Sequence, residues 1–285
     1  MSTPTRHPRT PAPRAPLGVA GRAALVALVA AAGSAPLPAR AAPPVSRPPA
    51  GMVAVGPGEL KLIDPPKSQQ APEHVRRFFL DRAPVTNAHF LTFARAERRW
   101  QRGVPPRLLA DASYLAHWEN AVTLGPDAPP DAPVVRVSWF SAKAYCEARG
   151  ARLPTESEWE FAARASETSP APAADPGRER LILAWYGQPT PARLGPVMRG
   201  KANFWGVHDL HGLIWEWVGD FNNRVVSDGR RTDEAFVCGG GTLTGADKTK
   251  YSTFMRMAFR AALRGAYTSP NLGFRCATDE APRSP

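Results

Sequence analysis

Apolar residues in this chain fall in short runs broken by proline- and glycine-rich stretches, and few runs keep one period for long. Met52-Val53-Ala54-Val55 followed by Gly56-Pro57-Gly58 predicts a strand and a turn. Phe78-Phe79-Leu80-Asp81 predicts a strand that runs into a helix, with Thr86 or Asn87 accepting the free amide hydrogens of its first turn. Phe90, Phe93 and Ala94 then share one helical face. Residues 103–133 read mostly as loop, with Pro105-Pro106 and Pro129-Pro130. Val134, Val135 and Val137 predict a short buried strand. Ser138 stands where a helix carrying Ala142, Ala144, Tyr145 and Cys146 needs its cap, and Gly150 ends that helix. Thr155 with Glu158 three residues later has capping-box spacing, which turns Trp159, Phe161 and Ala162 inward.

Further along, the Pro/Ala/charged stretch 170–180 predicts an exposed loop, and 251–263 a helix. Between them Phe204, Trp205, Trp215, Trp217 and Phe221 predict aromatic packing around irregular backbone. The elements are mixed, few and short, with little regular repetition along the chain.

Residues 1–41 change the picture at the N-terminus. Arg6, Arg9 and Arg14 precede an apolar run at 23–32, and Ala39-Arg40-Ala41 resembles a cleavage site before Ala42. This is signal-peptide grammar, with a run too short to span a bilayer, and it predicts a secreted or periplasmic protein with no membrane span once the signal is removed. Residues 42–51 read as a Pro-rich leader, 52–280 as one domain and 281–285 as a tail. The signal holds five arginines and no acids, so its loss takes the formal charge from +11 to +6. The remaining basic pairs, Arg76-Arg77, Arg98-Arg99 and Arg230-Arg231, lack the clustering and aromatic interleaving of a nucleic-acid surface, so no nucleic-acid partner is expected.

Candidate chemistry lies in the second half of the chain. Asp209, Glu216 and Asp220 sit among tight glycine turns, a composition that admits a hard-cation site of side-chain and carbonyl oxygens. Glu216 pairing with an arginine is the competing reading. His208 and His211 are spaced to share copper or iron on a helix, although an irregular loop does not guarantee that geometry. The chain has three cysteines: Cys146, Cys238 and Cys276.

The strings VSWFSAKAYCEARGARLPTESEWEFAARA, GVHDLHGLIWEW and NLGFRCA, with Met52 to Gly58 and Val85-Thr86-Asn87 in the right order, resemble the formylglycine-generating enzyme (sulfatase-modifying factor) family. The resemblance runs from residue 52 to 277. It implies an α+β domain that is a variation on the C-type lectin fold. It also implies calcium held by Asp209, Gly212, Ile214 and Glu216, and a Cys146–Cys276 disulfide. The family's oxidase binds copper(I) through two cysteines between an Arg-Gly-Gly-Ser strand and the final Gly-Phe-Arg. Here no cysteine stands between Cys238 and Cys276, so copper-thiolate oxidation by that mechanism is not expected.

Cys238 occupies the place of the family's arginine before Gly-Gly and is the candidate catalytic residue if the chain is an enzyme. A buried packing thiol is the leading alternative reading, and a thiol that pairs between molecules the last. Two function classes follow. One is an exported maturation or accessory factor that presents a groove of Trp205, Tyr251, Arg256, Arg260 and Arg275 to a protein or peptide partner. The other is an oxidoreductase modifying a protein or small molecule. The closing pattern also resembles a bacterial subgroup of accessories to exported copper enzymes such as nitrite reductase, which favours the first class.

Overall fold

The computed structural model describes residues 47–61, 71–221 and 251–280, all within one compact unit. The expected signal peptide, the first half of the expected Pro-rich leader, Arg230-Arg231, Cys238 and the tail lie outside the described residues. In chain order the elements are β1 (Met52–Val55), β2 (Gly58–Leu60), β3 (Glu73–Val75), β4 (Phe78–Asp81), α1 (Asn87–Ala96), α2 (Trp139–Ala148), α3 (Glu156–Ala163), α4 (Pro176–Tyr186), β5 (Trp215–Glu216), α5 (Tyr251–Ala262), β6 (Leu272–Gly273) and β7 (Ala277–Asp279).

The central sheet joins the two ends of the domain. β4 pairs antiparallel with β1, Met52 opposite Asp81, and on its other edge with β7, Phe78 opposite Asp279. All four residues of β4 are buried, as a middle strand covered on both faces requires. β2 pairs with β3, and β5 runs parallel to β6. A Cβ at Gly273 in β6 would run into the Val134 carbonyl, so this crossing needs glycine.

Capping follows the local chemistry. Thr86, Ser138 and Thr155 accept amide hydrogens of His89, Ser141 and Glu158 at the starts of α1, α2 and α3, and α3 has the full reciprocal box. Phe90 and Phe93 of α1 meet Tyr145 of α2 and Phe274, with Phe90 stacked on Tyr145 at 5.7 Å and Tyr145 edge-on to Phe274 at 5.3 Å. Cys146 and Cys276 are bonded to each other inside this core, with Cα atoms 5.5 Å apart.

Two local expectations are corrected. Val134 to Val137 is buried but forms no strand, because Arg136 takes a left-handed φ of 55° that stops the extended run. That turn is held by hydrogen bonds from Leu115 N to Arg136 O at 2.9 Å and from Arg136 N to Ser269 O at 3.0 Å. The stretch 170–180 is a loop only up to Asp175. Asp175 caps the amides of Gly177 and Arg178, and Pro176 sits at the first helical position, where its missing N–H costs nothing. Arg178 then donates to the carbonyls of Ala163, Arg164 and Ala165, so the start of α4 satisfies the end of α3.

Candidate functional site

Behind α3 the chain buries a set of charges that ties α3, α4 and α5 together. Arg256 Nε and Nη2 donate to Glu160 Oε1 and Oε2 at 2.9 and 2.7 Å, and Arg260 Nη1 donates to Oε1 at 2.9 Å. Both guanidinium groups lie over the Trp159 ring, at 5.4 and 4.3 Å from its centre. The Trp159 indole donates to Glu216 Oε2 at 2.8 Å, and Arg275 Nε and Nη2 donate to the same carboxylate at 2.8 and 2.7 Å. Burial acts to raise the Glu160 carboxyl, but the charge and hydrogen bonds of Arg256, with Arg260, hold it down at about 2. His211 Nε2–H donates to Ala163 O at 3.1 Å, and burial with the nearby Arg256 charge lowers the imidazole to about 3. It is therefore neutral, with Nε2–H donating and Nδ1 bare.

This ionic layer backs an open cleft. Arg256 Nη1 donates to Tyr186 Oη at 2.7 Å, which turns the tyrosine hydroxyl inward and leaves its ring stacked on Trp215 at 4.6 Å. Trp215 also meets Trp185 at 5.7 Å and Phe259 of α5 at 4.4 Å. Trp185, Tyr186 and Trp215 wall a cleft of ≈ 170 Å³ that Pro189, Leu194 and Asn271 also line. Asn271 is placed by its carbonyl, which accepts from Trp215 N at 2.7 Å.

The structure redistributes the residues named from sequence. The expected groove does not form, because Arg256, Arg260 and Arg275 are buried, with 5%, 2% and 0% exposure, and spend their charges on Glu160 and Glu216. Trp205 packs on Phe161 at 5.7 Å, and Tyr251 stacks on Phe254 at 6.4 Å. His208 and His211 do not converge, since His208 Nδ1 is bound to Gly200 O at 2.9 Å and His211 to Ala163 O at 3.1 Å. Among the described residues no group of three or more His, Cys, Asp or Glu gathers as a metal cluster.

Oxygens of the expected calcium loop keep some capacity. Asp209, with φ of 58°, accepts Met198 N on Oδ2 at 2.6 Å. Among the described residues Glu216 Oε1 accepts from Arg275 alone, and no loop hydrogen bond ends on the Gly212 or Ile214 carbonyl. The donor set fits a hard cation in composition, with the Glu216 charge already shared with Arg275.

Sequence reasoning missed Trp185, Tyr186, Glu160 and Asn271. The Ala-Trp-Tyr-Gly-Gln-Pro-Thr-Pro run at 184–191 carried the signal for the cleft, since paired aromatics beside prolines rarely face solvent without a role.

The sulfatase-modifying factor enzyme 1-like domain matches residues 38–280. The chain belongs to this family. It is 32% identical to a formylglycine-generating enzyme of Streptomyces coelicolor, across 86% of this chain and 96% of that one. It is 31% identical to inactive C-alpha-formylglycine-generating enzyme 2 of Mus musculus, across 72% of this chain and 76% of the relative. A hercynine oxygenase of Mycolicibacterium thermoresistibile is 33% identical over 55% of this chain and 40% of its own length. Among solved structures, PvdO from Pseudomonas aeruginosa superposes with a TM-score of 0.47 and 20% identity, covering 80% of this chain and 94% of that one.

Proposed function

We propose that this family member is an exported maturation or accessory factor that acts on a protein partner, and not a copper-thiolate oxidase. The carrying observation is the cysteine inventory. No cysteine lies between Cys238 and Cys276, and Cys276 is locked to Cys146. A copper(I) centre needs paired soft thiolates, and this chain has one thiol left over. The family includes members named as inactive, so the scaffold persists without the reaction. The accessory-to-copper-enzyme resemblance of the closing pattern points the same way.

The decisive assay supplies copper(I), oxygen and a cysteine-containing sulfatase-type peptide. The expected result is no oxygen uptake and no formylglycine by mass spectrometry. Turnover that disappears in Cys238→Ser would replace this reading by the oxidoreductase one, which Cys238 supports because it has no cysteine partner within the chain.

Calcium belongs to the same proposal. Asp209, the Gly212 and Ile214 carbonyls and Glu216 would hold it, and it would fix the loop that carries Trp215. At calcium a hundredfold above Kd the fold gains about 2.7 kcal/mol. Addition of chelator is expected to lower Tm, and Asp209→Asn to abolish that difference. An identical Tm with and without chelator counts against the site.

A further inference from the structure

Indole N–H groups are seldom left without an acceptor when they face a protein interior. Of the eight tryptophans, Trp118, Trp139, Trp159 and Trp217 donate to Asn87, Val218, Glu216 and Val137. The N–H groups of Trp100 and Trp205 are enclosed and also have no acceptor among the described residues, but neither faces a cleft that a ligand could enter. Trp185 and Trp215 are the other two. Both are half-buried, neither N–H has an acceptor among the described residues, and both line the same cleft.

Asn271 adds a third such donor there. Its Oδ1 accepts from Ser269 Oγ at 2.7 Å, which fixes the amide orientation and leaves Nδ2 without an acceptor among the described residues. Among the described residues the lining contains no Asp, Glu, Lys, Arg or His. The one acidic hydroxyl nearby, on Tyr186, is turned away toward Arg256.

We infer that this cleft binds a proline-containing peptide segment in the polyproline II conformation, a ligand class that deepens the partner-binding reading above and rests on it. A neutral cleft gives no charge reward to an anion or a cation. Unmatched donors between aromatic rings call for a ligand with exposed acceptors, few N–H groups and flat apolar faces. A polyproline II strand presents these features, because its carbonyls are fully exposed, prolyl nitrogens carry no hydrogen, and the pyrrolidine rings pack on aromatic faces. Its low conformational entropy also limits the ordering cost of binding. The ionic layer then has a role at the cleft: Arg256 holds Tyr186, and α5 brings Phe259 onto Trp215, so the stacked wall is fixed before a peptide arrives.

The test is calorimetric titration of the purified protein with acetyl-hexaproline amide, against an acetyl-(Gly-Ser)3 amide of equal length. Saturable 1:1 binding of hexaproline, with none of the Gly-Ser peptide, is expected. Trp215→Phe and Trp185→Phe keep a ring and remove the donor, and each is expected to weaken Kd about tenfold, the worth of one hydrogen bond. Asn271→Asp removes the amide donor by a separate route and is expected to weaken binding at least as much. Circular dichroism and Tm establish that each variant is folded.

Absence of hexaproline binding, equal binding of both peptides, or tryptophan and Asn271 variants that bind as tightly as the parent would each overturn the assignment. So would concentration-dependent self-association lost in Trp215→Phe, which would make a second copy the occupant. These outcomes are separable from the oxidase assay. Formylglycine formation refutes the accessory role whatever hexaproline does, whereas failed hexaproline binding with no oxygen uptake removes only the ligand class.

Discussion

Glu160→Gln is expected to lower the unfolding free energy by about 3–5 kcal/mol, because it takes the counter-charge from the buried Arg256 guanidinium and leaves Arg260 to the longer contact with Glu156 at 3.5 Å. Glu160 and Arg256 have side chains 7% and 6% exposed, and Arg260 is 2% exposed, so water cannot take over the lost interactions. Chemical denaturation of the variant beside the parent measures the loss. Replacing Glu160, Arg256 and Arg260 together by Leu, Leu and Met removes the charges as a set, and the triple variant is expected to be more stable than Glu160→Gln alone. If the single change costs less than about 1 kcal/mol, the charges are not buried as described.

The same layer fixes the sign of the pH dependence. Glu160 is depressed from 4.5 to about 2, so its contribution is complete above pH 4.5 and is lost as pH falls toward 2. His211 and His117 are depressed from 6.5 to about 3 and about 4, both mainly by burial. As neutral groups that must gain a proton on unfolding, they make stability fall as pH drops below 6.5. Unfolding free energy is therefore expected to decline continuously from pH 6.5 downward, at up to about 1.4 kcal/mol per pH unit for each proton taken up. His211→Gln should flatten the upper part of that profile, and Glu160→Gln the part below pH 4.5.

Opening the disulfide is expected to have a comparable effect. Cys146 and Cys276 are 130 residues apart, and both are fully buried. Closing so long a loop restricts the unfolded chain, and loss of the bond costs roughly 2–5 kcal/mol. The paired variant Cys146→Ser with Cys276→Ser should show this as a lower midpoint in urea. Thiol titration of the unfolded, unreduced protein should find one group per chain, Cys238, and three after reduction. Three thiols before reduction would refute the bond.

Local rules were enough wherever one short segment decided the outcome. Thr86, Ser138 and Thr155 cap helices because each hydroxyl needs only amides two or three residues ahead. Spacing likewise put Phe90, Phe93 and Ala94 on the buried face of α1. Local rules failed at Val134 to Val137, whose β-branched side chains favour extension. There Ser269 and Leu115 impose a left-handed turn at Arg136 from distant parts of the chain. They also failed for α4, where the Pro/Ala/charged composition of 170–180 predicts loop although Pro176 stands at the first helical position, which tolerates it.

The candidate site was less legible than the fold, for an electrostatic reason. Arg256, Arg260 and Arg275 look from sequence like ligands for a partner, since unpaired arginine is solvated. Only the folded chain places Glu160 96 residues before Arg256, and Glu216 59 residues before Arg275, within bonding distance. The order of motifs, the loss of the cysteine pair and the family were determined by the sequence itself, because they are properties of residue identity along the chain. Which arginines are buried, which indoles lack an acceptor, and that Trp185, Tyr186, Trp215 and Asn271 share one cleft were decided by tertiary structure alone. Burial and hydrogen-bond matching depend on what packs alongside a residue, and here those neighbours are far away in the chain.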